Sequence, residues 1–111
     1  MKNNNNSEIK ICPGEFVIYY DKPLGNRYCI YIEAVKKEKF YNKETNEWIW
    51  HNIFIYKIAM EMKSHLIIHD GSKMAIAFDS DLFDFERIAN HEEQNLFYNN
   101  MKKKGLDFSN I

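Results

Sequence analysis

The segment 90–105 carries a complete set of helix-boundary signals, which constrain the fold more than any other part of the chain. Asn90 can accept hydrogen bonds from amides of the first turn, and Glu93 can reach back to the Asn90 amide in a capping box. Acidic residues begin the segment and lysines end it, as the helix dipole favours. Gly105 can close the helix in the left-handed conformation. We therefore predict a helix over residues 91–104.

The apolar stripe of this helix is narrow. Phe97 and Met101 are four residues apart, with Leu96 beside Phe97, while most of the remaining positions are polar. A helix with one apolar stripe covers another element. We expect it to pack on a β-sheet, because the preceding sequence is rich in aromatic and β-branched residues arranged in short runs.

The predicted strands are separated by residues that favour turns. They cover residues 15–21, 27–35, 37–42, 47–56, 66–69 and 73–78. The second strand alternates as a half-buried strand does. The polar segment 43–46 predicts a hairpin between the third and fourth strands, and Asp70-Gly71-Ser72 predicts another between the last two. Helical spacing is shown by Ile55, Ile58, Ala59, Met62 and Leu66, and residues 59–63 have good helix propensity, whereas residues 48–56 prefer strand. We favour a strand that ends near Ile58, followed by a turn or a short helix.

These elements predict an α+β fold, either a curved antiparallel sheet or a small SH3-like β-barrel, with one C-terminal helix packed on it. With 111 residues, we expect a disordered tail over residues 1–7 and a single β-rich domain over 8–111. No apolar leader and no run of about 18 apolar residues is present, so we expect a cytoplasmic protein without membrane contact. Cys12 and Cys29 are predicted to be reduced thiols.

No motif predicts catalysis, a metal site or a cofactor, and we expect a protein that is not an enzyme. His65 and His69 have a spacing that would suit a metal on a helix. However, the apolar residues between them favour a strand, which would separate the two imidazoles by about 13 Å. Glycine-rich phosphate loops are absent from the sequence.

Two charged segments are candidate binding surfaces. The acidic one comprises Asp79, Asp81, Asp84 and Glu86. It can be a solvated turn before the helix, with Leu82, Phe83 and Phe85 facing the body, or a negative patch for a basic protein partner. The basic one comprises Lys36, Lys37, Lys39, Tyr41, Trp48 and Trp50. It can bind nucleic acid through lysines and stacking rings, or it can be an edge hairpin that lysines protect from aggregation. Aromatic residues make up 15% of the chain, so we expect some Trp or Tyr rings to be exposed at a contact surface.

The end of the chain resembles a known group of proteins. Residues 87–97 read RIANHEEQNLF and residues 101–105 read MKKKG. This pattern is similar to the closing segment of small uncharacterised β-barrel proteins of phages and mobile elements of Bacteroidota, although Asn90 stands where those proteins usually have threonine. Residues 13–17, PGEFV, are similar to the first strand of SH3-like barrels. The resemblance implies a phage accessory protein and supplies no catalytic residues.

Three functions are compatible with these observations. We favour a non-enzymatic binding protein of a phage or mobile element that contacts another protein through the acidic segment, for example an inhibitor of a host defence nuclease in the anti-CRISPR manner. The first alternative is a small nucleic-acid-binding β-barrel that uses the basic segment. The second is a structural or self-associating accessory protein, since an exposed aromatic strand would permit a homodimer.

Overall fold

A computed structural model describes residues 10–62, 66–68, 73–78 and 81–107 of the chain. Within these ranges the chain forms eight strands followed by one helix, which confirms the predicted α+β class. The elements are β1 Phe16–Asp21, β2 Asn26–Tyr31, β3 Ala34–Asn42, β4 Glu47–Tyr56, β5 Ile58–Glu61, β6 Leu66–Ile68, β7 Met74–Ile76, β8 Phe83–Ile88 and α1 His91–Lys103.

The strands form two antiparallel sheets. Sheet A has the order β6-β5-β2-β1-β8, and sheet B has the order β3-β4-β7. Neither sheet closes on itself, so the molecule adopts curved open sheets, the first of the two predicted architectures, and not a barrel.

Sheet A lies between sheet B and the helix, so the fold has three layers. Along β1, Val17 and Tyr19 belong to a cluster between the sheets, whereas Phe16 and Ile18 belong to a second cluster under the helix. Successive strand residues point to opposite faces. Cys29 on β2 is also fully buried in the cluster under the helix. The predicted alternation of β2 is therefore present, but the prediction of a half-buried strand is wrong at Cys29, which the helix layer covers. Arg27, on the same face of β2, is exposed.

The helix follows its predicted boundaries closely. The Asn90 side chain accepts a hydrogen bond of 2.9 Å from the Glu93 amide, and the Glu93 carboxylate accepts one of 2.9 Å from the Asn90 amide. Gly105 has a φ of 71° just after the C-cap residue. Phe97 and Met101 are buried, but Leu96 is 45% exposed and lies outside the buried stripe.

The chain crosses between the two sheets at points that the sequence pattern does not mark. The predicted second strand, 27–35, is divided: β2 ends at Tyr31 in sheet A, and β3 begins at Ala34 in sheet B. Ile32 is fully buried between the layers, so the alternation continues through the crossing. A second crossing follows β4, where Lys57 forms a bend.

β4 ends at Tyr56, close to the predicted end near Ile58. The turn or short helix predicted after it is wrong, because Ile58–Glu61 forms β5 and pairs with β2. Ile58 and Met60 pack under the helix, and Ala59 packs between the sheets. Burial on both faces of β5 explains why residues 58–60 are all apolar. Pairing within the sheet outweighs the helix propensity of this segment.

The predicted hairpin around Asp70-Gly71-Ser72 is also wrong. Its two flanking strands belong to different sheets, because β6 pairs with β5 and β7 pairs with β4. The residues 69–72 themselves lie outside the described part of the chain. The short apolar runs on either side were correctly predicted as strands, but each serves to extend a different sheet.

Candidate binding surface on the ribbon of β3 and β4

The strands β3 and β4 form a long antiparallel ribbon, as the sequence predicts. Nine residue pairs join them, from Ala34 opposite Ile55 to Asn42 opposite Glu47. The Asn42 side chain accepts a hydrogen bond of 2.9 Å from the Glu44 amide, and Asn46 has a φ of 58°. Asparagine tolerates this left-handed conformation better than most residues, which explains the tight reversal.

Strand alternation divides the ribbon into two surfaces with different chemistry. Directly opposed residues share a face, and Lys37, Lys39 and Tyr41 lie opposite Asn52, Trp50 and Trp48. We call these six residues the aromatic face. The other side carries Lys36, Glu38, Phe40, Ile49 and His51, which we call the groove face. The structure therefore brings together Lys37, Lys39, Tyr41, Trp48 and Trp50 from the predicted basic site and places Lys36 on the opposite side.

The side chains of the aromatic face contact one another. The Nζ atom of Lys39 lies 5.8 Å from the ring centre of Trp48 and 5.5 Å from that of Trp50. The rings of Tyr41 and Trp48 meet edge to face, with 5.4 Å between centres. The Tyr41 hydroxyl donates a hydrogen bond of 2.6 Å to the Asn46 side chain. These contacts hold the rings and the ammonium group in one arrangement.

The aromatic face is the solvent-exposed continuation of the side of sheet B that packs on sheet A. Phe54 and Tyr56 lie on the same side of β4 as Trp50, and both are buried. Trp48 and Trp50 are 59% and 61% exposed. A contiguous exposed apolar patch is typical of an interaction site. The prediction that some aromatic rings are exposed is confirmed.

The charges of the aromatic face are all positive. Lys37 and Lys39 lie on it, while Glu38 and Glu47 lie on the opposite side of the ribbon. The whole chain has a formal net charge of -1. The local charge therefore differs in sign from the total, and an anion would be attracted to this face.

The groove face leads into a cavity of about 480 Å³ beside the body of the molecule. Its lining is mostly apolar: Phe40, Ile53, Ile55, Ala75, Ile76 and Ala77, with Glu38 and His51 as its polar groups. The rings of Phe40 and His51 meet at 5.2 Å between centres. A second cavity, near the tip of the ribbon, shares these two residues.

Two of the four residues of the predicted acidic segment, Asp84 and Glu86, lie in β8, at one edge of sheet A. The interpretation as a turn is therefore wrong for residues 83–88, although Phe83 and Phe85 do pack against the core between the sheets. The pairing of β8 with β1 shifts by one residue along its length. Arg87 lies opposite Ile18, whereas Phe85 lies opposite Tyr19. The extra residue, Glu86, forms a bulge.

The predicted acidic site has partners of its own within the chain. Asp84 lies 3.4 Å from the Lys22 ammonium group. Glu86 accepts a hydrogen bond of 2.8 Å from Arg27. Asp81 is exposed, and Asp79 lies outside the described residues. Two of the four predicted carboxylates thus have neighbouring cations, which weakens the negative field of this edge.

Other titratable groups belong neither to the aromatic face nor to the groove face, and some lie in the core and some at the surface. Cys12 and Cys29 are free thiols, as predicted, and burial raises the pKa of Cys29 to about 12. Burial also raises the pKa of Tyr19 and of Tyr56. Arg87 bonds Glu93 through two nitrogens, which lowers the pKa of that carboxyl group.

In the described ranges, no three His, Cys, Asp or Glu side chains are grouped as a metal site would require. His65 and His69 lie outside those ranges. No helix in the described part of the chain is long and apolar enough to cross a bilayer.

Comparisons of the chain with protein-family models, with curated proteins and with solved structures give no match.

Proposed function

We propose that the aromatic face of the ribbon binds single-stranded nucleic acid. The observation that carries the proposal is the position of the Lys39 ammonium group over Trp48 and Trp50, with both rings more than half exposed. A cation between two accessible π-faces matches a ligand that alternates phosphate groups with planar bases. No other described surface combines the two features.

The energetics favour stacking as the main source of affinity. A base stacked on an aromatic side chain contributes about 1–3 kcal/mol. Trp48 and Trp50 are two residues apart on one strand, so their rings offer stacking positions about 7 Å apart. Lys37 and Lys39 have the same spacing on the neighbouring strand, which places two ammonium groups alongside the rings for phosphate contacts.

The same chemistry favours single strands over duplexes. In a duplex the base faces are stacked on one another, and a protein reads the base edges in the grooves through hydrogen bonds. The aromatic face offers one side-chain amide, Asn52, for such contacts, but it offers three rings. Its rings need exposed base faces, which single strands provide.

The proposal is tested by fluorescence anisotropy with labelled oligothymidine and a labelled duplex of the same length. We expect the single strand to bind at low salt and the duplex to bind at least tenfold more weakly. The double variant W48A/W50A should lose at least tenfold in affinity for the single strand. Leu24→Ala, which removes an equally exposed apolar side chain in the turn between β1 and β2, is the matched control and should bind as the unmodified chain does. Binding that survives W48A/W50A would contradict the proposal.

A protein partner is the second candidate. Exposed Trp side chains are typical of the residues that dominate protein interfaces, and the exposed Leu82 lies beside Asp81 near the start of β8. In this proposal the chain acts as an inhibitor from a mobile element and contacts a basic surface through the acidic edge. Changing Asp81, Asp84 and Glu86 to lysine should then abolish capture of the partner from host lysate, while circular dichroism remains unchanged. Capture of the same protein by the triple variant would exclude this candidate.

A further inference from the structure

The outer half of the ribbon has two open edges. Within the described ranges, β4 has a second neighbour only at residues 54–56, where β7 pairs with it. β3 lies at the edge of sheet B along its whole length. Open strand edges present unpaired backbone groups that another strand can bind.

The two edges differ in how they are protected. β3 carries Lys36, Lys37 and Lys39, and edge lysines discourage strand pairing because like charges would meet. On β4, residues 47–51 read EWIWH. This stretch has one carboxylate and no lysine, and its first four side chains are exposed. β4 is therefore the edge that can accept a further strand.

We propose that β4 pairs with β4 of a second copy of this chain, antiparallel, about a twofold axis at Ile49. In this register, Ile49 lies opposite Ile49 of the partner subunit, and Trp48 lies opposite Trp50 of the partner subunit. Glu47 lies opposite His51 of the partner subunit, twice in the dimer. A carboxylate and an imidazole are a complementary pair, and aromatic cross-strand pairs stabilise antiparallel sheets.

Other arrangements lack this complementarity. An axis at Trp50 would place Glu47 opposite Ile53, which is 8% exposed beside the body, and would lose the pair between Glu47 and His51. Pairing of β3 with β3 would bring lysines of both copies together, which costs stability. The interface formed in this register is isologous, as a twofold interface must be, because each copy contributes the same segment of β4.

The dimer would extend sheet B into a continuous sheet with the order β3-β4-β4-β3 across the axis. Directly opposed residues share a face, so the four Trp side chains of the two copies would lie on one side. This arrangement doubles the aromatic face. The proposed dimer requires no ligand, so it can be tested independently of nucleic-acid binding.

The decisive test is a cysteine placed on the axis of the full chain, with Cys12 changed to serine and the buried Cys29 retained. Opposed residues of antiparallel strands have Cα atoms about 4.5–5.5 Å apart, within the range that a disulfide spans. Ile49→Cys should therefore form a covalent dimer under mild oxidation. Phe40→Cys is the matched control: Phe40 lies opposite Ile49 within the ribbon and is similarly exposed, but it lies one strand away from the axis. Equal crosslinking of the two variants, or none by Ile49→Cys, would overturn the proposal.

Sedimentation equilibrium provides a readout without new cysteines. The unmodified chain should show a monomer–dimer equilibrium, and Ile49→Lys, which places two ammonium groups on the axis, should weaken it at least tenfold. Phe40→Lys should change the dimer dissociation constant less than threefold. Circular dichroism establishes that each variant is folded. A chain that stays monomeric up to its solubility limit, or that assembles beyond a dimer, would contradict the proposed pairing.

Discussion

The Nζ atom of Lys39 lies 5.5 Å from the ring centre of Trp50, its direct cross-strand neighbour in the ribbon. The same atom lies 5.8 Å from the diagonal neighbour, Trp48. Such cation–π contacts contribute about 0.5–1 kcal/mol at exposed sites. The contact therefore has a modest effect on stability. Its larger consequence is positional, since it keeps a positive charge beside two exposed rings.

The two faces of the ribbon provide a matched pair of lysines. Lys36 and Lys37 are adjacent and both exposed, but they lie on opposite sides of β3. We expect Lys37→Gln to weaken binding of oligothymidine and to reduce the slope of log affinity against log salt by about 0.7, the value for one phosphate contact on a single strand. Lys36→Gln should leave the slope unchanged. Equal slopes for the two variants would show that nonspecific charge, and not the aromatic face, attracts the ligand.

The helix should depend on Phe97 far more than on its neighbour. Phe97 is fully buried and meets the Phe16 ring edge to face, with 5.1 Å between centres. Phe97→Ala should reduce the free energy of unfolding by about 3–5 kcal/mol, because it leaves a cavity under the helix. Leu96→Ala, at an exposed position, should change it by about 0.5 kcal/mol or less. Urea unfolding measures both, and comparable losses would mean that the helix packs on a different face.

Stability should depend on pH through Glu93. Hydrogen bonds from Arg87 and from the Asn90 amide lower the pKa of this carboxyl group from 4.5. A lowered pKa in the folded state stabilises the protein above pH 4.5, and this contribution disappears as the pH falls through the lowered value. Glu93→Gln should therefore cost about 1 kcal/mol at neutral pH, since Arg87 is half exposed. The difference from the unmodified chain should shrink in acid. Glu92→Gln, in the same helical turn, is the control, and a difference that stays constant with pH would refute the assignment.

The two cysteines should react at very different rates. Cys29 is fully buried, and burial raises its pKa to about 12, so the thiolate that alkylating agents attack is scarce at neutral pH. Cys12 is exposed. Iodoacetamide should label Cys12 in the native protein and both residues in urea, as mass spectrometry would detect. Rapid native labelling of Cys29 would indicate that the helix opens readily.

The features that sequence analysis predicted correctly are those set by neighbours in the chain. The capping box depends on Asn90 and Glu93, three residues apart, and the ribbon depends on the short turn between β3 and β4. Both can be recognised locally because the interacting groups are close in sequence. The sheet that a strand joins, by contrast, is not determined by residues close to it in sequence. The alternation that runs through Ile32 is the same whether the strand stays in sheet A or crosses to sheet B, so the crossing has no local signal.

Long-range pairing also explains what was missed at the candidate sites. Glu86 was predicted as part of a negative patch, but Arg27, distant by 59 positions in the chain, bonds it across sheet A. The separation of Lys36 from Lys37 follows from alternation and could have been predicted once β3 was assigned. The contact of Lys39 with both Trp rings required the cross-strand register, which the sequence alone does not supply.

Intrinsic fluorescence provides the most direct measurement of the central claim. The chain contains two Trp residues, and both lie on the aromatic face. Titration with oligothymidine at low salt should quench their emission along a saturating curve, because bases stack on the indole rings, and added salt should reverse the quenching. If the emission stays unchanged at oligonucleotide concentrations where binding of single strands is complete, or if no binding occurs at low salt, the proposed function of this face is wrong.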